Sequence, residues 1–180
     1  MRRILISIMF SFVFSSCSLF RLNDTDQITI PEVLVSAEAY NVTTKDKVSL
    51  EVGNIVLKTT ISVIINGKEE IIQVDNSTKI LYCKVGDEIN IDYYVHFDEK
   101  HEHLTFKLLE TKVFGLDWEK KSDLTAFNVD FIVPELPSGK YPITSETRYK
   151  VEPQSELFGS SSTGVESISP ITSTFLLIVQ

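Results

Sequence analysis

Phe127-Asn128-Val129-Asp130-Phe131-Ile132-Val133 runs directly into Pro134-Glu135-Leu136-Pro137-Ser138-Gly139-Lys140-Tyr141, and that junction decides how the chain folds. Phe127, Val129, Phe131 and Val133 recur at every second position, the period of a strand with one apolar face. Two prolines and a glycine then interrupt it. Proline has no amide proton to give a ladder, so the pair marks a corner and not more strand. Beyond the corner, Ile143-Thr144-Ser145-Glu146-Thr147-Arg148-Tyr149-Lys150 returns to β-branched and aromatic residues. The unit is strand, corner, strand.

The same grammar spreads outward in both directions. Ile89, Ile91, Tyr93, Val95 and Phe97 alternate with Asn90, Asp92, Tyr94 and His96, and the charged stretch 98–102 separates them from a strand expected over 103–113. Toward the N-terminus, Ile61-Ser62-Val63-Ile64-Ile65 and Ile71-Ile72-Gln73-Val74 flank Asn66-Gly67. Asn-Gly between apolar runs is the strongest short hairpin signal, because both residues accept the positive φ of a type I′ turn. At the far end, a polar stretch over 153–170 precedes a last strand over 171–179. Helical periodicity is scarce, and only 116–124, with Trp118, suggests a turn of helix. The expectation is an all-β domain.

A strand pair joined by a corner that ends in Gly-x-Tyr, here Gly139-Lys140-Tyr141, resembles the E-to-F crossing of immunoglobulin-like domains. There the tyrosine hydroxyl bonds back to upstream backbone. The resemblance covers 78–180 and implies an immunoglobulin-like antiparallel β-sandwich of about seven strands. Residues 28–77 then supply additional N-terminal strands and a hairpin, either within the same sheets or as a small subdomain. Pro142 sits awkwardly at the start of the second strand, where it removes a donor.

The first seventeen residues carry an address. Arg2 and Arg3 precede an apolar run, 4–14, too short for the roughly 20 residues that span a bilayer. Phe14-Ser15-Ser16-Cys17 resembles the lipobox of bacterial lipoproteins, with small residues at two positions and the cysteine in place, and Phe14 standing where that family has leucine. The resemblance implies a signal peptide over 1–16, lipidation at Cys17, a tether over 17–27 and attachment to the cell envelope, at the outer membrane. Plain secretion with loss of Cys17, or a periplasmic location, is the alternative. Cleavage would remove Arg2 and Arg3 from the 17 basic residues while all 25 acidic ones stay, which leaves a charge near −10. So acidic a surface disfavours nucleic acid as a partner. A basic protein partner in the envelope fits, as does solubility alone.

Chemistry is sparse. His96, His101 and His103 lie near Asp98, Glu99 and Glu102, and on a hairpin they offer imidazole and carboxylate ligands to zinc or copper. A solvated polar loop gathers the same residues, and the expectation is no metal and no cofactor. No phosphate-cradling loop, nucleophile elbow or zinc-protease motif occurs, and Gly159 to Gly164 has the wrong spacing for an elbow. The expectation is no enzyme. Trp118, Phe114, Tyr93 and Tyr94 either form a platform or fill the core, and the core reading is preferred. Cys83 reads as a buried, inert thiol. Asn23, Asn41 and Asn76 head Asn-x-Ser/Thr triplets that matter only in a glycosylating pathway. The function that remains is a non-catalytic envelope lipoprotein acting as a binding or assembly module, with 98–102 and 153–170 as contact loops. An envelope metal-binding protein using His96 to His103 is the alternative.

Overall fold

The computed structural model describes residues 33–53, 57–97, 104–153, 165–166 and 170–180. Cys17, Asn23, His101, His103 and most of the two expected contact loops lie outside the described residues. Residues 31–180 belong to one compact unit. Its strands are β1 (Val33–Asn41), β2 (Lys47–Val52), β3 (Lys58–Ile65), β4 (Lys68–Asp75), β5 (Thr78–Cys83) and β6 (Glu88–Phe97). They continue as β7 (Leu104–Gly115), β8 (Trp118–Ser122), β9 (Ala126–Ile132), β10 (Gly139–Pro153), β11 (Val165–Glu166) and β12 (Ile171–Val179).

Two sheets form an immunoglobulin-like sandwich. One has the order β2-β1-β6-β9 and the other β5-β12-β10-β7-β8, with β11 added to β10. The order β1-β6-β9 corresponds to A-B-E of that fold, and β12-β10-β7-β8 to G-F-C-C′. The pairing is antiparallel except that β5 runs parallel to β12. β1, from the residues expected to supply additional N-terminal strands, lies between β2 and β6 in the first sheet. Its Val33, Val35, Ala37 and Ala39 are buried.

The alternation seen in the sequence faces the core. Ile89, Ile91, Tyr93 and Val95 of β6 are buried and meet Leu81, Val113, Ile143, Phe175 and Leu177 in one cluster. Four buried hydroxyls from the second sheet join them in pairs: Thr111 with Thr147 at 3.1 Å and Ser145 with Ser173 at 2.5 Å. Pairing is what makes these polar groups tolerable inside, because an unpaired buried hydroxyl costs about 1–3 kcal/mol. The Tyr93 ring stacks on Phe127 at 5.2 Å. Its hydroxyl lies beside Ser145 without a well-formed hydrogen bond, and burial raises its pKa far above the ordinary tyrosine value, an effect Ser145 only partly offsets.

The Asn-Gly hairpin is present as expected. Asn66 and Gly67 both have positive φ, and Ile65 pairs with Lys68, so the return strand begins at Lys68. β3 and β4 form their own two-stranded sheet. Val63 and Ile65 pack on Leu176 and Ile178, which point to the outer side of β12. This explains why Phe175 to Val179 is apolar without a break: the strand is buried on both faces. Burying Leu176 and Ile178 contributes roughly 1.5–3 kcal/mol each.

The expected helical turn over 116–124 is a correction. Leu116 and Asp117 have φ of 47° and 64°, Gly115 pairs with Trp118, and β8 follows at once. Two consecutive left-handed residues reverse the chain and cannot propagate a right-handed helix. Pro142 lies within β10, where that strand pairs with β12 alone; its pairing with β7 starts at Thr144. The missing amide proton is thereby kept out of a doubly paired ladder.

Asn41 ties the β1–β2 turn to the β5–β6 turn. Its side-chain amide donates to the Asp87 carboxylate at 2.7 Å, and its amide oxygen accepts from the backbone N–H groups of Thr43 and Thr44 at 3.0 Å. Asp87 also accepts from the Lys84 N–H at 2.9 Å. Both side chains are buried. Asn41 is therefore closed to glycosylation while the domain is folded.

Candidate binding groove

β7 approaches β10 so closely at Gly115 that a Cβ there would lie 2.5 Å from Ile143 Cδ1 and 2.6 Å from the Pro142 carbonyl oxygen. Only glycine permits this approach. It brings the Leu116-Asp117 turn against the corner between β9 and β10. The corner itself is pinned as the sequence resemblance implied: the Tyr141 hydroxyl donates to the Pro137 carbonyl oxygen at 2.8 Å. Between turn and corner lies an open groove of about 630 Å³, whose walls include Phe114, Leu116, Trp118, Leu136, Tyr141 and Pro142.

Trp118 forms the inner wall. Its ring lies 5.3 Å from Phe131, and its Nε1–H is buried without an acceptor among the described residues. Phe114 forms the outer wall, with the Lys112 ammonium 5.0 Å from its ring centre. Lys112 also reaches Glu119 at 2.8 Å, and Lys121 reaches it at 3.3 Å. The hydrogen bond from Lys112 holds the Glu119 carboxyl below its ordinary pKa, and the same bond raises Lys112. Asp117 is exposed and has no hydrogen-bond or ion-pair partner among the described residues. The groove walls carry two acids, Asp117 and Glu119, and no base.

Of the four aromatic residues singled out in the sequence, Phe114 and Trp118 meet in this groove. The other two do not. Tyr93 is buried in the core, and Tyr94 stands on the outer face of the other sheet, stacked 6.4 Å from His96. Sequence reasoning missed Leu116, Asp117, Leu136 and Pro142 as groove residues. The turn lacks the Asn-Gly signature, and nothing local places it beside a corner twenty residues away.

Of the expected histidine hairpin, His101 and His103 lie outside the described residues, and the flanking strands β6 and β7 belong to different sheets. β6 has β1 on one side and β9 on the other, while β7 pairs with β10 and β8. β9 pairs β6 over Glu88 to Tyr94, and β1 pairs it as far as Phe97. His96 is exposed on β6, with Nε2 3.1 Å from Ser36 Oγ. Among the described residues, no three His, Cys, Asp or Glu side chains are grouped to hold a metal ion.

The expected contact loops leave from the other pole. Val33 pairs with Phe97, and Leu104 with Pro153, so the start of β1, the end of β6, the start of β7 and the end of β10 converge there. Phe97 closes it, stacked on Phe106 at 5.4 Å and edge-on to Tyr149 at 6.5 Å. No family model, curated protein or solved structure matches this chain.

Proposed function

We propose that this protein is lipidated at Cys17 and serves at the bacterial cell envelope as a non-catalytic binding or assembly module. The observation that carries the binding role is the groove between the Leu116-Asp117 turn and the Tyr141 corner. It combines partly exposed aromatic walls with an unpaired carboxylate on a rigid strand scaffold. Aromatic side chains give large contact area at low entropic cost, and a few polar groups beside them provide orientation. The location rests on the short apolar run and on Ser15-Ser16-Cys17.

Val33, the first described residue, lies at the pole where Phe97 sits, whereas Gly115, Trp118 and Tyr141 lie at the opposite one. Lipid attachment is strong enough for the purpose, since each buried CH₂ contributes about 0.8 kcal/mol and more than one chain gives stable anchoring. The test is metabolic labelling with an alkyne fatty acid. The wild-type chain incorporates label and fractionates with membranes, and Cys17→Ala does neither. Equal labelling of both, or none in either, refutes the anchored module.

A further inference from the structure

We infer that the groove takes a cationic side chain, an arginine or lysine, presented by an apolar segment of a partner protein. The inference rests on the binding-module reading above and names the partner's chemistry. Charge complementarity selects the occupant. Of the two wall acids, Glu119 is neutralised by Lys112 and Lys121, whereas Asp117 is exposed and has no partner among the described residues. A carboxylate beside partly exposed Trp118 and Tyr141 suits a long cationic side chain, whose stem lies on the rings while its head meets the acid.

The fold already contains a small version of this pairing. Lys112 places its ammonium 5.0 Å from the Phe114 ring centre and 2.8 Å from Glu119. One acid and one ring of the groove wall are thus satisfied from within, and Asp117 with the Trp118 and Tyr141 rings is the set left open.

The turn that presents Asp117 is also not the one that backbone ease selects. β3 and β4 are joined through Asn66-Gly67, the residues suited to two positive φ angles, whereas β7 and β8 use Leu116-Asp117 for the same geometry. A bulky residue at positive φ is an outlier. Part of the compensation is visible, because Leu116 packs against the core cluster. Asp117 is a residue type that tolerates positive φ, and the turn leaves its carboxylate exposed.

The test uses the chain from residue 18, which omits the signal segment and Cys17, and two randomised nonapeptide libraries, one with arginine fixed at the centre and one with glutamate. Trp118 is the only tryptophan in the chain, so its fluorescence reports occupancy of the groove directly. The arginine library is enriched at least tenfold over the glutamate library. Selected peptides shift Trp118 emission and bind Asp117→Asn roughly tenfold more weakly, the scale of one charge-assisted hydrogen bond. Asp117→Lys abolishes binding, and Asp123→Asn, an exposed acid off the groove wall, leaves it unchanged. Equal enrichment of the two libraries, or binding that survives Asp117→Lys, overturns the inference. In that event, labelling and membrane fractionation of the full chain still decide the anchored module separately.

Discussion

The Tyr141 hydroxyl donates to the carbonyl oxygen of Pro137, four residues upstream, at 2.8 Å. This one bond ties the β9–β10 corner to the strand that follows it, and its ring is a wall of the groove. Tyr141→Phe removes the bond and keeps the ring. The site is partly exposed, so water takes over some of the lost interaction, and the expected cost is about 0.5–1 kcal/mol. Urea denaturation of the two proteins measures it, and an unchanged midpoint refutes the pinning role.

Gly115→Ala tests the approach of β7 to β10. The new Cβ meets Ile143, which is buried, and the Pro142 backbone, neither of which moves freely. Overpacking of this kind costs about 1–3 kcal/mol. The melting temperature should fall, and Trp118 emission should change with it as the turn is displaced. A melting temperature at the wild-type value would mean that the strands separate easily at this point.

Asn41→Ala leaves the Asp87 carboxylate buried without its amide donor and strands the N–H groups of Thr43 and Thr44. Losing a buried network that includes a charge costs about 2–4 kcal/mol. In a comparable bond at the surface, Asn90, which is half-buried, donates to the exposed Asp130 at 2.6 Å. Asn90→Ala should cost well under half as much, because water replaces the lost contact. Comparable losses in the two variants would contradict the role given to burial.

Cys83 is buried, and desolvation, with a smaller contribution from the nearby Asp87 charge, pushes its thiol from the ordinary 9.0 up to about 11. In the unfolded chain the thiol releases its proton near pH 9, so between pH 9 and about 11 the unfolded state binds fewer protons. Stability therefore falls as pH rises through that window, and it keeps its full value below it. Cys83→Ala should show a shallower loss over the same range, whatever its stability at pH 7. At pH 8 the folded protein should resist thiol reagents and react only on unfolding. Parallel alkaline profiles for the two proteins would count against the shift.

Much of the fold is legible in the residues because strand period and turn chemistry are local. The alternations at 89–97 and 127–133, the Asn66-Gly67 turn and the Gly139-Lys140-Tyr141 corner each act through neighbours a few positions apart. What was not legible depends on distant pairing. The place of β1 between β2 and β6 is decided by partners on both its sides, which no window along the chain contains. A hairpin of His96 to His103 rests on adjacency in sequence, and adjacency does not reveal that β6 and β7 belong to different sheets. The 116–124 segment misled because Leu116-Asp117 adopts a turn geometry usually written with asparagine and glycine. Trp118 and Phe114 were recognisable as aromatic residues of interest, but the Tyr141 and Leu136 side of their groove comes from the corner.

Photocrosslinking in living cells tests directly whether the proposed envelope-tethered module makes its contacts through the groove pole. A photoreactive amino acid is placed at Asp117 on the groove, at Glu135 beside its corner wall, and at Ser49 on the exposed face of β2. All three positions are exposed, so the substitutions should leave the domain folded. Irradiation of living cells should give one discrete protein adduct from positions 117 and 135, none from 49, and a weaker adduct when Cys17→Ala releases the chain from the membrane. An adduct from position 49 alone, or none from 117 and 135 in chains that still fractionate with membranes, would contradict the account.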